Sequence, residues 1–358
     1  MHNDTLSCEA ILRKMPDGGL IIVCQCGDTA EPAPGNRVYA FLSYDGGETW
    51  SDPVSVREED GCAVYCTEVR IGDGGIIAYL TVHDGHFLDW RCETAVSRDN
   101  GRTWSRESSP VDSFAFVRGA VTLSDGSVLM PVQMYHVTEE QNRILKENGR
   151  YVWHAFYSFP EGVRTDRVLN NVLIRRRGAE VFEMHPGPEL AMTENWVWSE
   201  PTVAEVSPGK TVMLLRYCGT GFLWKSTSDD MGRTWSIPEK TDIPSPGNKP
   251  KLIALGGGRT ALIHTPNPKA TPYSVDNRYP LEIWISFDGC KRGSLVSARR
   301  RATAPIPTGF MTAEAVICSS RLSLTEKIFI LRTVRYRNEK CRGICRLPRE
   351  CGGSEPSL

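Results

Sequence analysis

Short apolar runs cut by glycine turns set the pattern of this chain. Residues 19–24, 75–82 and 127–132 are each entered through an Asp-Gly pair and carry almost unbroken hydrophobic character. Runs of six to eight residues bounded in this way read as buried β-strands, and no apolar period of 3.6 persists long enough to predict a helix. Cys24 and Cys26 flank Gln25. On a strand they share one face, as small core residues. Polar stretches separate the runs, the longest at residues 135–149, which reads as an inserted loop.

One polar phrase recurs. Ser43-Tyr44-Asp45-Gly46-Gly47-Glu48-Thr49-Trp50 returns as Ser97-Arg98-Asp99-Asn100-Gly101-Arg102-Thr103-Trp104 and as Ser228-Asp229-Asp230-Met231-Gly232-Arg233-Thr234-Trp235. The shared form, S-x-D-x-G-x-T-W, reads as a turn. The Asp carboxylate accepts backbone N–H groups, the Gly takes positive φ, and the Trp folds back as a plug. The first two copies begin roughly 54 residues apart, a period expected of propeller blades. A fourth copy starts at Ser286-Phe287-Asp288-Gly289, roughly 58 residues after the third, and then breaks into Cys290-Lys291-Arg292. Between the second and third copies, residues 175–182 occupy the place of another, where only Phe182 fits, at the Trp position.

Composition narrows the class. A chain of 358 residues, 40% hydrophobic, can bury a large core, and 32 Gly, 23 Pro and nine Trp suit many short strands joined by tight turns. The net charge of −1 argues against nucleic acid or an anionic membrane as partner. The polar start, residues 1–10, does not resemble a signal peptide, and no stretch is long and apolar enough to span a bilayer, so the expected location is cytoplasmic. There the twelve Cys are expected as thiols. Cys341 and Cys345 have loose metal-ligand spacing with no second Cys or His pair, so neither metal nor cofactor is expected.

The octets are Asp-boxes, and through them the chain resembles the sialidase (neuraminidase) superfamily. The resemblance implies an all-β fold, a six-bladed β-propeller, with the boxes on the blade rim away from the sugar site. It also implies a glycoside hydrolase acting on a terminal acidic sugar. Three arginines clamp the sugar carboxylate, a Tyr nucleophile is assisted by a Glu, and an acidic residue serves as acid/base. Guanidinium forks match a carboxylate bidentately, and a Glu base makes a phenol nucleophilic. The segment from Trp198-Ser199-Glu200-Pro201 to Arg216 resembles the family stretch in which the assisting Glu precedes a clamp Arg. Glu200 is thus the base candidate and Arg216 a clamp candidate. The competing reading makes Glu200 a loop cap and Arg216 a solvated edge charge. Arg278, in Asn277-Arg278-Tyr279-Pro280, falls at the next clamp position. Glu31, or else Asp28, stands in the acid/base region. His83, Asp84, Arg118 and Tyr135, with Trp90 and Gln133 near them in sequence, have the polar-aromatic mixture of a sugar pocket, although scattered turn residues would give the same pattern.

Two departures stand out. Cys8 occupies the place of the first clamp Arg, and Arg13 lies too close to the Pro16-Asp17-Gly18 turn to replace it. From residue 289 the alternation gives way to a basic, Cys-containing tail, so residues 1–288 are expected to form about five blades and 289–358 a missing or disrupted sixth. Joining each permitted third base to the next codon lets residues 289–293 read Met-Gln-Thr-Trp, restoring the fourth octet. The same frame lets residues 305–312 read Tyr-Pro-Asp-Gly-Phe-Tyr-Asp, with a Tyr where the nucleophile belongs. A single-base shift near Gly289 accounts for the whole tail; a divergent basic tail is the alternative. The expected activities are accordingly sialidase-type hydrolysis of a glycan or, failing the nucleophile, glycan binding without hydrolysis or an inactive chain.

Overall fold

The computed structural model describes residues 7–298, apart from 73, 86–89, 112–113, 136–142, 144–166, 192–197, 270–277, 279 and 291–295. Every element assigned among the described residues is a strand, and the strands form five antiparallel sheets that follow one another along the chain. Blade 1 contains β1 (Ser7–Lys14), β2 (Leu20–Cys26), β3 (Arg37–Ser43) and β4 (Val54–Arg57). Blade 2 contains β5 (Ala63–Gly72), β6 (Gly75–His83), β7 (Arg91–Ser97) and β8 (Ser105–Ser108). In blade 3 the first and last strands are each broken in two. The order is β9 (Ala115–Val117), β10 (Val121–Thr122), β11 (Val128–Tyr135), β12 (Arg167–Arg175), β13 (Glu183–His185) and β14 (Glu189–Ala191). Blade 4 is β15 (Thr202–Ser207), β16 (Lys210–Leu215), β17 (Phe222–Ser228) and β18 (Glu239–Pro244). Blade 5 is β19 (Lys251–Gly256), β20 (Arg259–His264), β21 (Glu282–Ser286) and β22 (Val296–Ala298). The last of these lies beyond residue 288 yet still pairs with β21. The expected sixth blade and its Tyr fall at residues 299–358, outside the described residues.

The three apolar runs are the second strands of blades 1, 2 and 3, and a second strand is buried on both faces. β16 shows why such a strand is continuously hydrophobic. Met213 and Leu215 pack with Leu129 of blade 3, whereas Val212 and Leu214 pack with Leu252 and Leu262 of blade 5. Period-two geometry sends alternate residues to opposite neighbours, so every position must be apolar. Similar clusters join blades 1 and 2 through Ile21, Leu42, Val69 and Ile76, and blades 2 and 3 through Tyr79, Val117 and Met130. Burying each of the larger side chains contributes about 1.5–3 kcal/mol.

Each octet is the turn from the third to the fourth strand of its blade. In the third copy Ser228 Oγ donates to Asp230 Oδ1 at 2.7 Å and accepts the Gly232 N–H at 2.8 Å. Thr234 donates to Asp230 through its N–H at 2.9 Å and its Oγ1 at 2.7 Å, and Trp235 Nε1 closes the turn on Gly232 O at 2.8 Å. The first and second copies repeat these bonds. Gly232 has φ +84°, and a Cβ there would meet Leu129 Cδ1 at 2.1 Å, so the turn wedges against the preceding blade. The incomplete copy in blade 5 keeps only its first half. Ser286 Oγ still donates to Asp288 Oδ1 at 2.8 Å and accepts the N–H of Cys290 at 2.9 Å. Cys290 sits in the glycine place at φ +61°.

Antiparallel order gives the molecule two unlike ends. The octets follow third strands, so they share one end with the hairpins between first and second strands. The segments before first strands, and those between second and third strands, share the other. The strands of a blade separate the two by about 20 Å. Each blade packs on its successor, and Lys249, just before β19, reaches back to Glu9 on β1.

Candidate functional site

The end opposite the octets gathers the ionisable side chains. Glu200 lies just before β15 and Arg216 just after β16, and the two are joined because Arg216 N–H donates to Ser199 O at 2.8 Å. The Arg216 guanidinium donates directly to Glu200 Oε2. Arg118, in the break between β9 and β10, brings its guanidinium to 3.7 Å from Glu200 Oε1. All three side chains are buried. Burial alone would raise the Glu200 carboxyl; the charges of Arg216, Arg118 and Lys249, with the Arg216 hydrogen bond, overcome it and hold the group ionised, at about 2. Arg216 is pushed up in turn, its burial outweighed by Cys218 and Glu200. Arg278 is lowered to about 10 by burial and by the neighbouring Arg216 charge.

The backbone at Glu200 is strained. Its φ is +30°, a conformation that costs about 1–3 kcal/mol and persists only when surroundings impose it. Those surroundings are specific. Glu200 N–H donates to Gln133 Oε1 at 2.9 Å, Gln133 Nε2 donates to the Tyr135 hydroxyl at 2.6 Å, and Ser199 Oγ donates to Asn170 Oδ1 at 2.5 Å. Blade 3 thereby aims a carboxylate carried by blade 4.

A second carboxyl in the cluster behaves oppositely. Glu31, between β2 and β3, accepts the Cys8 thiol at 3.2 Å. Burial, then the Glu9 and Glu200 carboxylates, raise its pKa to about 8 against smaller opposing effects of Cys8 and Lys249. Glu31 is therefore protonated at neutral pH while Glu200 is ionised. Two carboxyl groups driven apart in this way make an acid and a base in one place. The Cys8 thiol is itself raised by burial and by Glu31.

A wall of rings runs alongside. Tyr65 stacks on His83 at 5.5 Å, His83 stacks on Trp90 at 5.2 Å, and Trp90 meets Phe114 and Phe116 at 4.3 and 4.8 Å. The Arg118 guanidinium lies over Phe116 at 4.7 Å, and Trp198 packs on both Phe116 and Tyr135. The family model for a BNR repeat-like domain matches residues 65–293 of this chain.

The chain belongs to the BNR repeat-like domain family. This BNR repeat-like protein is 25% identical over 296 residues to a sialidase of Paraclostridium sordellii, covering 71% of this chain and 64% of that one. It is 23% identical over 289 residues to a sialidase of Clostridium perfringens, covering 70% and 67%. The chain thus spans about two thirds of the length of these relatives. Among solved structures it resembles the Hadza microbial sialidase Hz136 with a TM-score of 0.58 at 18% identity, over 80% of this chain and 57% of that one. It resembles the intramolecular trans-sialidase from Ruminococcus gnavus, solved with oseltamivir carboxylate, with a TM-score of 0.57 at 12% identity, over 85% and 86%. At those identities the structural likeness establishes the fold.

On the BNR repeat-like frame, Glu200, Arg216, Arg118, Arg278 and Glu31 converge, as the charges acting between them show. The reading of Glu200 as a loop cap and Arg216 as a solvated edge charge does not hold, since both are buried and paired. Asp28 stands apart: it is half-buried, and its carboxylate accepts the N–H of Thr29 at 2.6 Å. The His83 ring is fully buried, sandwiched between Tyr65 and Trp90, and its Nδ1 accepts the Gly85 N–H at 3.0 Å, which makes it a core side chain of blade 2. Asp84, on the adjoining turn, comes to 4.0 Å from the same nitrogen. Tyr135 is buried in the aromatic wall and takes part through Gln133.

Two members of the cluster carry no signal in any octet or motif. Glu9 sits on a bulge in β1, at φ +51°, and Lys249 Nζ lies 3.0 Å from its Oε2. A bulge re-aims a side chain, and here it turns Glu9 toward its partner. Lys249 was findable by position: like Glu200 in blade 4, it stands immediately before a proline that enters a first strand. No helix among the described residues is long and apolar enough to cross a membrane, and no described group of His, Cys, Asp or Glu is arranged to hold a metal.

Proposed function

We propose that this chain carries a sialidase-type site for a terminal acidic sugar, with Arg216, Arg118 and Arg278 holding the sugar carboxylate, Glu200 as base and Glu31 as acid. The observation that carries the reading is the buried Glu200 carboxylate set between the Arg216 and Arg118 guanidinium groups, and it is supported by a second carboxyl, Glu31, whose pKa burial and the Glu9 and Glu200 charges raise. Nε of Arg118 and Nε of Arg216 are buried and lack a hydrogen-bond partner among the described residues, so donor capacity is left for an anion. Glycosidases set two carboxyl groups about a scissile bond, one kept as an acid, and here the phenol that Glu200 would activate is expected from the sixth blade.

Binding and turnover therefore separate. The chain as written, with its fourth octet broken at Cys290, is expected to bind a sugar acid and to hydrolyse a fluorogenic sialoside negligibly. Losing a covalent nucleophile costs several orders of magnitude in rate. Restoring the shifted frame from Gly289 onward is expected to add hydrolysis, abolished again by Glu200→Gln. Robust turnover by the chain as written would refute this placement of the nucleophile, and failure to bind any sugar acid would refute the site.

A further inference from the structure

Blades 4 and 5 present equivalent positions to this site. Thr202 pairs with Leu214 in blade 4, and Lys251 pairs with Ile263 in blade 5. In that register Glu200 of one blade corresponds to Lys249 of the other, each two residues before its first pair. Arg216 corresponds to Thr265, each two residues after. The correspondence is physical as well as numerical. Ser199 O holds the Arg216 N–H in blade 4, and Asn248 Nδ2 donates to Thr265 Oγ1 at 2.8 Å in blade 5. The two first strands also lie side by side, tied by Leu252 N–H donating to Thr202 Oγ1 at 2.9 Å. The frame that aims Glu200 at the ligand position thus aims Lys249 there too.

The Lys249 side chain is only 10% exposed and that of Glu9 13%, so the pair is largely withdrawn from water. Such a pair usually gains little stability over an apolar one, because desolvation offsets attraction. Its placement makes sense if the lysine is held for use. Lys249 acts electrostatically on both Glu200 and Glu31, so its ammonium belongs to the same cluster. Glu9 is the residue that follows Cys8, whose thiol is occupied with Glu31. Cys8 thus brings no charge to the blade 1 side of the site, and Lys249, reached across the bulge, brings one.

We infer that Lys249 is a specificity-determining residue that contacts the anionic group of the ligand, and that Glu9 is its internal counter-ion, displaced when the ligand carboxylate arrives. The inference rests on the acidic-sugar reading above. It also assigns a consequence to Glu9, which competes with the ligand and so weakens binding. Removing that competition favours the bound state, because a ligand gains by whatever the empty site no longer has to give up.

The test is calorimetric titration of the full chain with 2,3-didehydro-2-deoxy-N-acetylneuraminic acid and with its methyl ester, which keeps the shape and loses the charge. Lys249→Met is expected to weaken the acid about ten-fold and to leave the ester within about two-fold, the size of one lost charge contact. Lys249→Arg is expected to hold the acid within about three-fold of the natural chain, and Glu9→Gln to tighten it several-fold. If Lys249→Met binds the acid normally while Arg216→Met has lost it, the role of Lys249 is overturned and the acidic-sugar site stands. If the natural chain binds neither compound, both readings fall. Should Lys249→Met not fold by circular dichroism, Glu9→Gln decides, since unchanged acid affinity in that variant overturns the proposal.

Discussion

Blades 4 and 5 share a register and differ in nearly everything the register presents. Blade 4 has a complete octet, with Thr234 and Trp235 closing the turn, and it sets Glu200 and Arg216 at the opposite end. Blade 5 has half an octet, with Cys290 in the glycine place, and it sets Lys249 and Thr265 at the corresponding positions. The lesson is that strand order fixes where a side chain goes, and local chemistry fixes what is done there. A backbone bond beside a buried ion pair, and a neutral amide–hydroxyl bond, serve the same joint.

The largest test of that comparison is to cut both joints. Arg216→Met takes from the buried Glu200 its direct ion-pair partner and leaves Arg118 at 3.7 Å, and is expected to destabilise the fold by about 3 kcal/mol, the low end of the cost of breaking a buried ion pair. Thr265→Val removes one acceptor from Asn248 and is expected to cost about 1–2 kcal/mol. Urea unfolding of the two variants measures the difference, and equal costs would mean that the joints do not differ in kind.

The turns give a smaller contrast of opposite sign. Gly232→Ala forces a Cβ against Leu129 at positive φ and is expected to lose about 2–3 kcal/mol. Cys290→Gly relieves the left-handed strain in blade 5 and is expected to gain about 0.5–1 kcal/mol, read as a rise in thermal midpoint. A loss in the second variant would show that the contact of Cys290 Sγ with Thr260 Oγ1, at 3.0 Å, outweighs the strain.

The subtlest test separates the two carboxyls by pH. The Glu31 pKa rises on folding from 4.5 to about 8, so the folded chain binds more protons than the unfolded chain between those values. This contribution to stability is fully present below about 4.5 and is lost as pH rises through about 8. Glu31→Gln is expected to flatten that decline in a urea series from pH 5 to 9. Glu200 has the contrary sign: lowered to about 2, it contributes stability that is present above 4.5 and lost only as pH falls toward 2.

The fold was legible because its turns repeat. Octets at Ser43, Ser97 and Ser228 fix where third strands end, and Asp-Gly pairs fix where second strands begin, so the blades follow. The site was legible only where a local motif carried it, as at Glu200-Pro201 and Arg216. Glu31 was nameable from its segment, but its retained proton depends on Glu9, Glu200 and burial, which are contacts between blades. Asp28, three residues earlier in the same segment, differs from it in that its carboxylate caps the N–H of Thr29. His83 looked like a pocket residue because polarity in a sequence does not show direction. The ring is instead packed between Tyr65 and Trp90. Lys249 and Glu9 went unread because 240 residues separate them and a bulge, invisible in composition, brings them together.

The separation of octets from ionisable cluster by the length of a strand has a consequence for inheritance. At one end, blades 1, 2 and 4 carry the phrase by which kinship is recognised, held by turn geometry and by wedging against a neighbouring blade. The other end carries loops and strand entries that no such phrase constrains. Exchanges there, such as a cysteine where the resemblance expects an arginine, leave the signature of descent untouched. Chains retrieved by their turns can therefore share an ancestor while having parted company over what they feed on.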